Sequence, residues 1–216
     1  VGKNVGGTTT INSGTCLRTP DAVLQEWMAE GLTDFSPHNM LRYFEQVEEI
    51  LQVQRADPRY VGEIGNRIAA GAAALGMTQA HPLTRNAVGC DGQGLCQFGC
   101  PTDAKQSTNV SYIPRALDAG AFLLTGVKAR RILWDGRQVA GLEADGVDDN
   151  GLRKQVRIRA RHLVVAMGTF FTPLFLQQNG VRNRRLGKNL SLHPAGAVTG
   201  HYPQHRFDHA RRIPQG

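Results

Sequence analysis

The hydrophobic positions of this chain follow two different periods, one before and one after a glycine-rich stretch near residues 81–120. Before it, apolar residues recur every three or four positions, which predicts amphipathic helices. Three helices are predicted to start at Thr19-Pro20-Asp21, Ser36-Pro37 and Asp57-Pro58. We expect each apolar face to lie inward: Val23, Leu24, Trp27 and Met28; Met40, Leu41, Phe44, Val47 and Leu51; Ile64, Ile68, Ala72 and Leu75.

After residue 120 the pattern changes to that of strands. Asp135-Gly136-Arg137 predicts a hairpin turn between strands at 122–134 and 138–144. Residues 155–161 alternate between polar and apolar, which predicts a third strand with one solvated face. The unbroken apolar run at 163–166 then predicts a parallel strand buried on both faces, and Thr172-Pro173 opens a helix beyond it. A short helix interrupted at Pro114 is predicted for 107–118.

These elements predict a mixed α/β fold (α+β mixed) with a helical segment, a cysteine-containing loop and a β-meander that ends in the buried parallel strand. The 216 residues are 41% hydrophobic and 20% charged, which is typical of a globular protein with a core. No apolar run has the length of a membrane span. Val1 begins no leader-like segment, so we expect the true N-terminus to lie elsewhere, and the compartment, cytoplasm or periplasm, stays open.

The net charge of +7 raises nucleic-acid binding as one possible function. The arginines are scattered or lie in the last 35 residues, without an aromatic-interleaved basic helix or zinc-finger spacing. A basic surface suited to the phosphates of a cofactor needs fewer assumptions, and we prefer it.

Two segments have the chemistry of phosphate or cofactor binding. Gly6-Gly7 brings the backbone close to a polyanion, and the following threonines add hydroxyl donors. No lysine stands in the P-loop position, and no GxGxxG is present. The strand–glycine–helix junction at Gly168 is a general phosphate-binding arrangement. From these residues alone, a surface turn explains the first segment equally well.

Four motifs, in their order along the chain, favour a cofactor-binding segment over a surface turn. They are Gly2-Lys3-Asn4-Val5-Gly6-Gly7-Thr8-Thr9-Thr10-Ile11-Asn12, the stretch from Gly120-Ala121 to Ile132, Gly168-Thr169-Phe170-Phe171-Thr172-Pro173 with Asn179-Gly180, and Leu186-Gly187-Lys188-Asn189-Leu190 with His193-Pro194. Together they resemble the glucose–methanol–choline (GMC) family of FAD-dependent oxidoreductases, although the family usually has Ser where Asn179 stands. The similarity is greatest to bacterial alcohol or sugar dehydrogenases and to long-chain alcohol oxidases.

The resemblance implies FAD contacts for Thr8, Asn12 and Ser13 on the flavin side, for Ala129 at the adenine and for Gly168 at the strand end. A simple turn-forming role for Asn12 remains the alternative. The family's catalytic histidine lies further C-terminal than His193, so no catalytic residue is assigned.

The resemblance also implies a division of the chain. Residues 1–80 would form the Gly/Thr loop and helical segment of a flavoprotein FAD/NAD(P)-binding-type fold, and 81–120 a cysteine-rich loop with a short helix. Residues 121–190 would form the meander and the final strand–turn–helix, and 191–216 the start of a substrate domain. We expect the GxGxxG strand and the remaining substrate domain to lie outside this sequence, so that residues 1–216 alone neither hold FAD tightly nor oxidise alcohol.

Three of the four cysteines, Cys90, Cys96 and Cys100, fall within eleven residues. Three thiolates at this spacing could bind an iron–sulfur cluster, and some bacterial dehydrogenases of the family have a similar arrangement. Zinc would need a fourth ligand from Asp91, His81 or Cys16. We favour structural thiols and keep the metal sites as alternatives.

The leading hypothesis is therefore part of an FAD-dependent enzyme that oxidises the CH–OH group of an alcohol or sugar. Its reduced flavin would be reoxidised by oxygen or by an electron-acceptor protein. The rivals are an iron–sulfur electron-transfer module and a basic nucleic-acid-binding domain.

Overall fold

The computed structural model describes residues 2–148, 150–207 and 212. The chain divides into two units, Val1–Phe122 with His201–Gly216, and Leu123–Gly200. Each unit is described by itself.

In the described residues of the first unit there are four α-helices, α1 (Asp21–Ala29), α2 (Pro37–Ile50), α3 (Pro58–Ala74) and α4 (Tyr112–Asp118). The three predicted helix starts are confirmed. Ser36 and Asp57 cap α2 and α3 by accepting hydrogen bonds from main-chain N–H groups, at 3.2 Å and 2.9 Å. The proline that follows each cap has no N–H to leave unsatisfied.

The last of these helices, α4, begins later than predicted. Pro114 falls in its first turn, where a missing N–H breaks no hydrogen bond, so the proline does not interrupt the helix. None of the described helices is both long enough and apolar enough to span a membrane.

The predicted inward face of α3 is wrong, although the helix itself forms. Ile68 is 65% exposed and Leu75 is 81% exposed. No described helix or strand packs extensively against α3, so none of these elements covers its apolar stripe. In contrast, Leu24 of α1 is fully buried, as its place in the periodic pattern predicts.

A short strip of backbone connects the loops of the first unit. Strands β1 (Gln54–Arg55) and β2 (Thr84–Arg85) pair antiparallel. Isolated bridges extend this strip from Arg85 to Thr15 and from Ala87 to Lys105. Residues 84–87 thus lie between the segment after the Gly/Thr motif and the segment after the cysteines.

The second unit is built on a three-stranded antiparallel meander, β3 (Lys128–Asp135), β4 (Gln138–Val147) and β5 (Arg153–Arg159), in the order β3-β4-β5. The predicted hairpin turn is confirmed, because Asp135 pairs with Gln138 and leaves two residues between them. Ile132 and Ala144 form its buried centre.

A carboxylate on the central strand links the three strands of the meander. Glu143 lies opposite Arg131 on β3 and Arg157 on β5, and it accepts hydrogen bonds of 2.6 Å from both guanidinium groups. The Glu143 side chain is only 6% exposed, whereas its partners are about two-thirds exposed. The charged pairs therefore stabilise the register of all three strands on one face.

The buried parallel strand predicted for residues 163–166 is not confirmed. This segment has no regular secondary structure, and Val164 is 88% exposed. Both sheets of the described residues pair antiparallel, so nothing there provides the neighbour that a parallel strand needs.

The helix after this segment, α5 (Gly168–Gln178), begins before the predicted Thr172-Pro173 start. The mixed α/β class is thus confirmed in its general form, with five helices and two small sheets in the described part of the chain. The domain boundaries given above stay predictions.

Candidate functional site

The Gly/Thr loop, residues 5–14, contains one 3₁₀ turn, Gly7–Thr10. Two of its three threonines have their hydroxyls bonded within the unit. The Thr9 hydroxyl lies 3.0 Å from the Thr108 hydroxyl, and Thr10 donates to the Gly7 carbonyl at 2.9 Å. Thr8 is exposed instead, with one long hydrogen bond to its hydroxyl, 3.4 Å from the Gly2 N–H. Its position therefore leaves the Thr8 hydroxyl accessible to a ligand.

The next predicted contacts, Asn12 and Ser13, lie in a turn. The Asn12 side-chain oxygen accepts a hydrogen bond from the Gly14 N–H at 3.1 Å, so Asn12 does form the local turn considered as its simple role. The rest of its side chain remains exposed, and Ser13 is half-buried. Gly14 has φ of +75°, and a Cβ there would lie 2.7 Å from Asn86 Oδ1. Only glycine fits this position without strain.

A buried cation lies beneath this loop. Lys105 is 1% exposed, and its ammonium donates to three backbone carbonyls, those of Thr10 at 2.9 Å, Asn12 at 2.6 Å and Cys96 at 2.7 Å. Burial lowers the pKa of this ammonium below that of an ordinary lysine. A lone lysine in a mostly polar segment gives no sequence signal of burial, so the sequence did not identify it.

A second buried cation, Arg85, lies beside Lys105. Arg85 is 2% exposed and donates hydrogen bonds to the Ser13 carbonyl and, at 3.5 Å, to the Cys96 sulfur. The Gly/Thr loop and the cysteine segment are thus both bonded to the same pair of cations.

The cysteine loop, residues 90–101, contains three free thiols, and Cys16 elsewhere is also free. Cys96 is buried, whereas Cys90 and Cys100 are half-buried. Among the described residues no group of three or more His, Cys, Asp or Glu side chains is arranged to hold a metal ion. The structure therefore does not bring Cys90, Cys96 and Cys100 together as a ligand set.

The thiols of this loop differ in acidity. Burial raises the pKa of Cys96, and the nearby Arg85 and Lys105 only partly oppose it. Burial also acts to raise the pKa of Cys100, but hydrogen bonds from the Lys105 N–H and from Thr102 outweigh it, and the pKa is lowered. Cys100 is therefore the more nucleophilic thiol of the two.

The remaining predicted contacts lie in the second unit. Ala129 is half-buried on β3, opposite Ala144. Gly168 is the first residue of α5, with φ of +82°, and a Cβ there would meet nothing within 4 Å. Open space thus lies at the start of this helix, where free N–H groups favour anions.

A cavity of about 150 Å³ lies in the first unit beside the cysteine loop. Its lining includes Arg55, Arg59, Arg85 and Cys90, but none of the predicted FAD contacts. This volume is below the roughly 300–1,000 Å³ of ordinary cofactor pockets. It is therefore not a site for a dinucleotide.

No histidine of this chain is assigned a catalytic role. His193 is exposed, and His205 lies 2.5 Å from a carboxylate oxygen of Glu63 on α3. This pairing was not foreseen from the sequence, because its partners are 142 residues apart. His209 lies outside the described residues.

Comparison with known proteins gives one family. The family model described as GMC oxidoreductase matches residues 1–195. An uncharacterised GMC-type oxidoreductase of Mycobacterium tuberculosis is 36% identical over 202 residues, which are 93% of this chain and 31% of that protein. A GMC-type oxidoreductase of Sinorhizobium fredii is 29% identical, over 99% of this chain and 42% of the relative.

A long-chain-alcohol oxidase of Arabidopsis thaliana is 30% identical over 226 aligned residues, which cover 100% of this chain and 30% of that enzyme. The chain thus spans between 30% and 42% of the length of these relatives.

Proposed function

The chain belongs to the GMC oxidoreductase family, and from that premise we propose that it forms part of the FAD site of an enzyme that oxidises alcohols or sugars. When bound, FAD supplies the chemistry by accepting a hydride from the CH–OH group of the substrate. The residues of this chain bind and orient the cofactor. Thr8, Asn12 and Ser13 contact its flavin side.

The observation that carries the proposal is that the three threonines of the Gly/Thr loop use their hydroxyls differently. Thr9 and Thr10 donate their hydroxyls to carbonyls within the unit, whereas the exposed Thr8 hydroxyl only accepts one long bond from the Gly2 N–H. Beside Thr8, a Cβ on Gly7 would meet no atom within 4 Å, so the backbone there is open to a ligand. The donors and the open backbone fit a polar, anionic cofactor.

In the second unit, we assign Ala129 to the adenine and Gly168 to the region near the phosphates. Ala129 would act through its backbone, for which a small side chain at a half-buried position leaves room. The open start of α5 at Gly168 supports the second assignment.

The substrate proposal rests on the names of the relatives. Several of them are named long-chain-alcohol oxidases, which favours a long-chain alcohol, and sugars share the same CH–OH group. Oxygen or an electron-acceptor protein would take the electrons from the reduced flavin. No residue of this chain is assigned to proton transfer.

The test is a comparison of two matched threonine variants in the full-length gene product that carries this sequence. Thr8→Val removes the hydroxyl of an exposed threonine, and Thr78→Val does the same at another exposed threonine, in the turn after α3. We expect the wild type to purify with bound FAD and its two visible bands. Thr8→Val should weaken FAD binding about three- to tenfold, the effect of one hydrogen bond, and Thr78→Val should leave it unchanged. A colourless wild-type protein, or equal affinities for the two variants, would refute the proposal.

For the cysteine loop we propose a structural role, with the iron–sulfur cluster at Cys90, Cys96 and Cys100 as the alternative. The buried Cys96, bonded to both cations, supports the structural role. Iron and acid-labile sulfide analysis of anaerobically purified protein separates the two. Stoichiometric iron with broad absorption that dithionite bleaches would establish the cluster.

A further inference from the structure

The Lys105 ammonium makes two long-range hydrogen bonds to the Gly/Thr loop, to the carbonyls of Thr10 and Asn12, and a third to the cysteine loop. Its three ammonium donors can each serve one acceptor. The three carbonyls of Thr10, Asn12 and Cys96 lie at 2.6–2.9 Å, so the donors are fully used. A buried ammonium with complete partners holds each of them in a fixed direction, because moving any one of them would leave a charge unpaired.

The positions of these three carbonyls show which segments the Lys105 ammonium holds in place. Thr10 and Asn12 lie in the Gly/Thr loop, 95 and 93 residues away along the chain, whereas Cys96 lies in the cysteine loop. The Ala87–Lys105 bridge holds the backbone of the lysine itself. Lys105 is therefore anchored at its backbone, and its side chain fixes the carbonyls on either side of Ile11, at Thr10 and at Asn12.

We propose that Lys105 is a positioning residue for the cofactor, whose ammonium holds the Gly/Thr loop in the conformation that binds the flavin side of FAD. The inference rests on the proposed function, since it needs Thr8, Asn12 and Ser13 to contact FAD. Lys105 does not itself touch the cofactor. Its charge and hydrogen bonds act through the loop.

The charge distinguishes this role from simple packing. If Lys105 only fills space, an uncharged side chain of similar length replaces it. If its ammonium orders the carbonyls, then an uncharged side chain leaves three acceptors without donors, and the loop loses its fixed conformation. Restoring an ammonium alone then restores FAD binding.

The experiment uses the full-length gene product with Lys105→Met, Lys105→Ala and the control Lys154→Met. Lys154 is a surface lysine, 64% exposed and paired with Asp148, so its loss changes the net charge equally. FAD dissociation constants are measured on folded, FAD-free protein by flavin fluorescence, and the visible spectrum of bound FAD is recorded. We expect Lys105→Met and Lys105→Ala to weaken binding about tenfold or more and to change the fine structure of the flavin bands, with Lys154→Met unchanged.

Chemical rescue completes the test. We expect n-propylammonium, which replaces the atoms that Lys105→Ala removes, to restore affinity and spectrum saturably, and propan-1-ol of similar shape not to do so. Equal rescue by both compounds, wild-type affinity in Lys105→Met, or variants that are unfolded with and without FAD would each overturn the inference. Absence of FAD from the wild type would instead refute the proposed function.

Discussion

Replacing Asn179 with alanine tests whether one side chain holds α5 against the meander. The Asn179 side-chain oxygen accepts a hydrogen bond from the Ile132 N–H on β3 at 2.7 Å, and its amide donates to the Phe175 carbonyl at 2.8 Å. Ile132 is 4% exposed and Phe175 is 6% exposed, so water does not readily replace the lost partner at either place.

The size of the effect follows from these two bonds. A buried N–H left without an acceptor costs roughly 1–3 kcal/mol, and the second bond adds about 0.5–1.5 kcal/mol. We therefore expect Asn179→Ala to lower the free energy of opening of the second unit by about 2–4 kcal/mol. Amide hydrogen exchange at Ile132 should accelerate by about 30- to 1,000-fold, since 1.4 kcal/mol corresponds to a factor of ten.

Hydrogen exchange followed by mass spectrometry or NMR measures this directly. The matched control is Asn183→Ala, which removes an exposed local bond to the Arg185 N–H and should change opening by no more than about 0.5 kcal/mol. Unchanged protection of Ile132 in Asn179→Ala would refute the reasoning. Equal acceleration in the two variants would show that the effect is not specific to the buried bond.

Three further predictions concern acid stability, the core and the thiols. Two arginines hold the pKa of the Glu143 carboxyl below its usual value of about 4.5, so the stability that Glu143 contributes is present above that pH and is lost as pH falls through the folded pKa. Glu143→Gln should remove this acid dependence of the free energy of unfolding, measured by urea titrations between pH 3 and 7, and an unaltered pH profile would contradict the prediction. Leu24→Ala should cost about 2–5 kcal/mol in denaturant unfolding, whereas Leu17→Ala, at a 71% exposed side chain, should cost under about 0.5 kcal/mol. Iodoacetamide should label Cys100 before Cys96 in the folded protein, because the pKa of Cys100 is lowered and Cys96 is buried. Peptide mapping that finds Cys96 labelled first would disprove this order of reactivity.

Local signals predicted the elements well where the cause of the element is itself local. A capping side chain followed by proline starts a helix wherever it occurs, and α2 and α3 begin at these signals. The two-residue turn after Asp135 likewise needs only its own residues and the flanking strands. The predictions failed where the outcome depends on a distant neighbour, as for the exposed Ile68 of α3 and the exposed Val164.

For the candidate site, too, some features were identified from the sequence and others were not. The ordered motifs identified the family from the sequence, and the family model over residues 1–195 confirms it. The individual FAD contacts at Thr8, Asn12, Ser13, Ala129 and Gly168 stay predictions. The iron–sulfur alternative finds no supporting group of ligands among the described residues, since ligand spacing along the chain does not fix the distances between side chains.

The sequence by itself determined the helix starts, the hairpin turn and the family, and it predicted the segments that would contact a cofactor, because capping, turn formation and motif spacing are properties of neighbouring residues. Only the tertiary structure decided which polar groups of those segments form hydrogen bonds within the protein. It buried Lys105 and Arg85 beneath the Gly/Thr loop and left Thr8 exposed. The physical reason is that a buried cation needs acceptors, and here three of them are carbonyls more than 70 residues away, which no local pattern reveals.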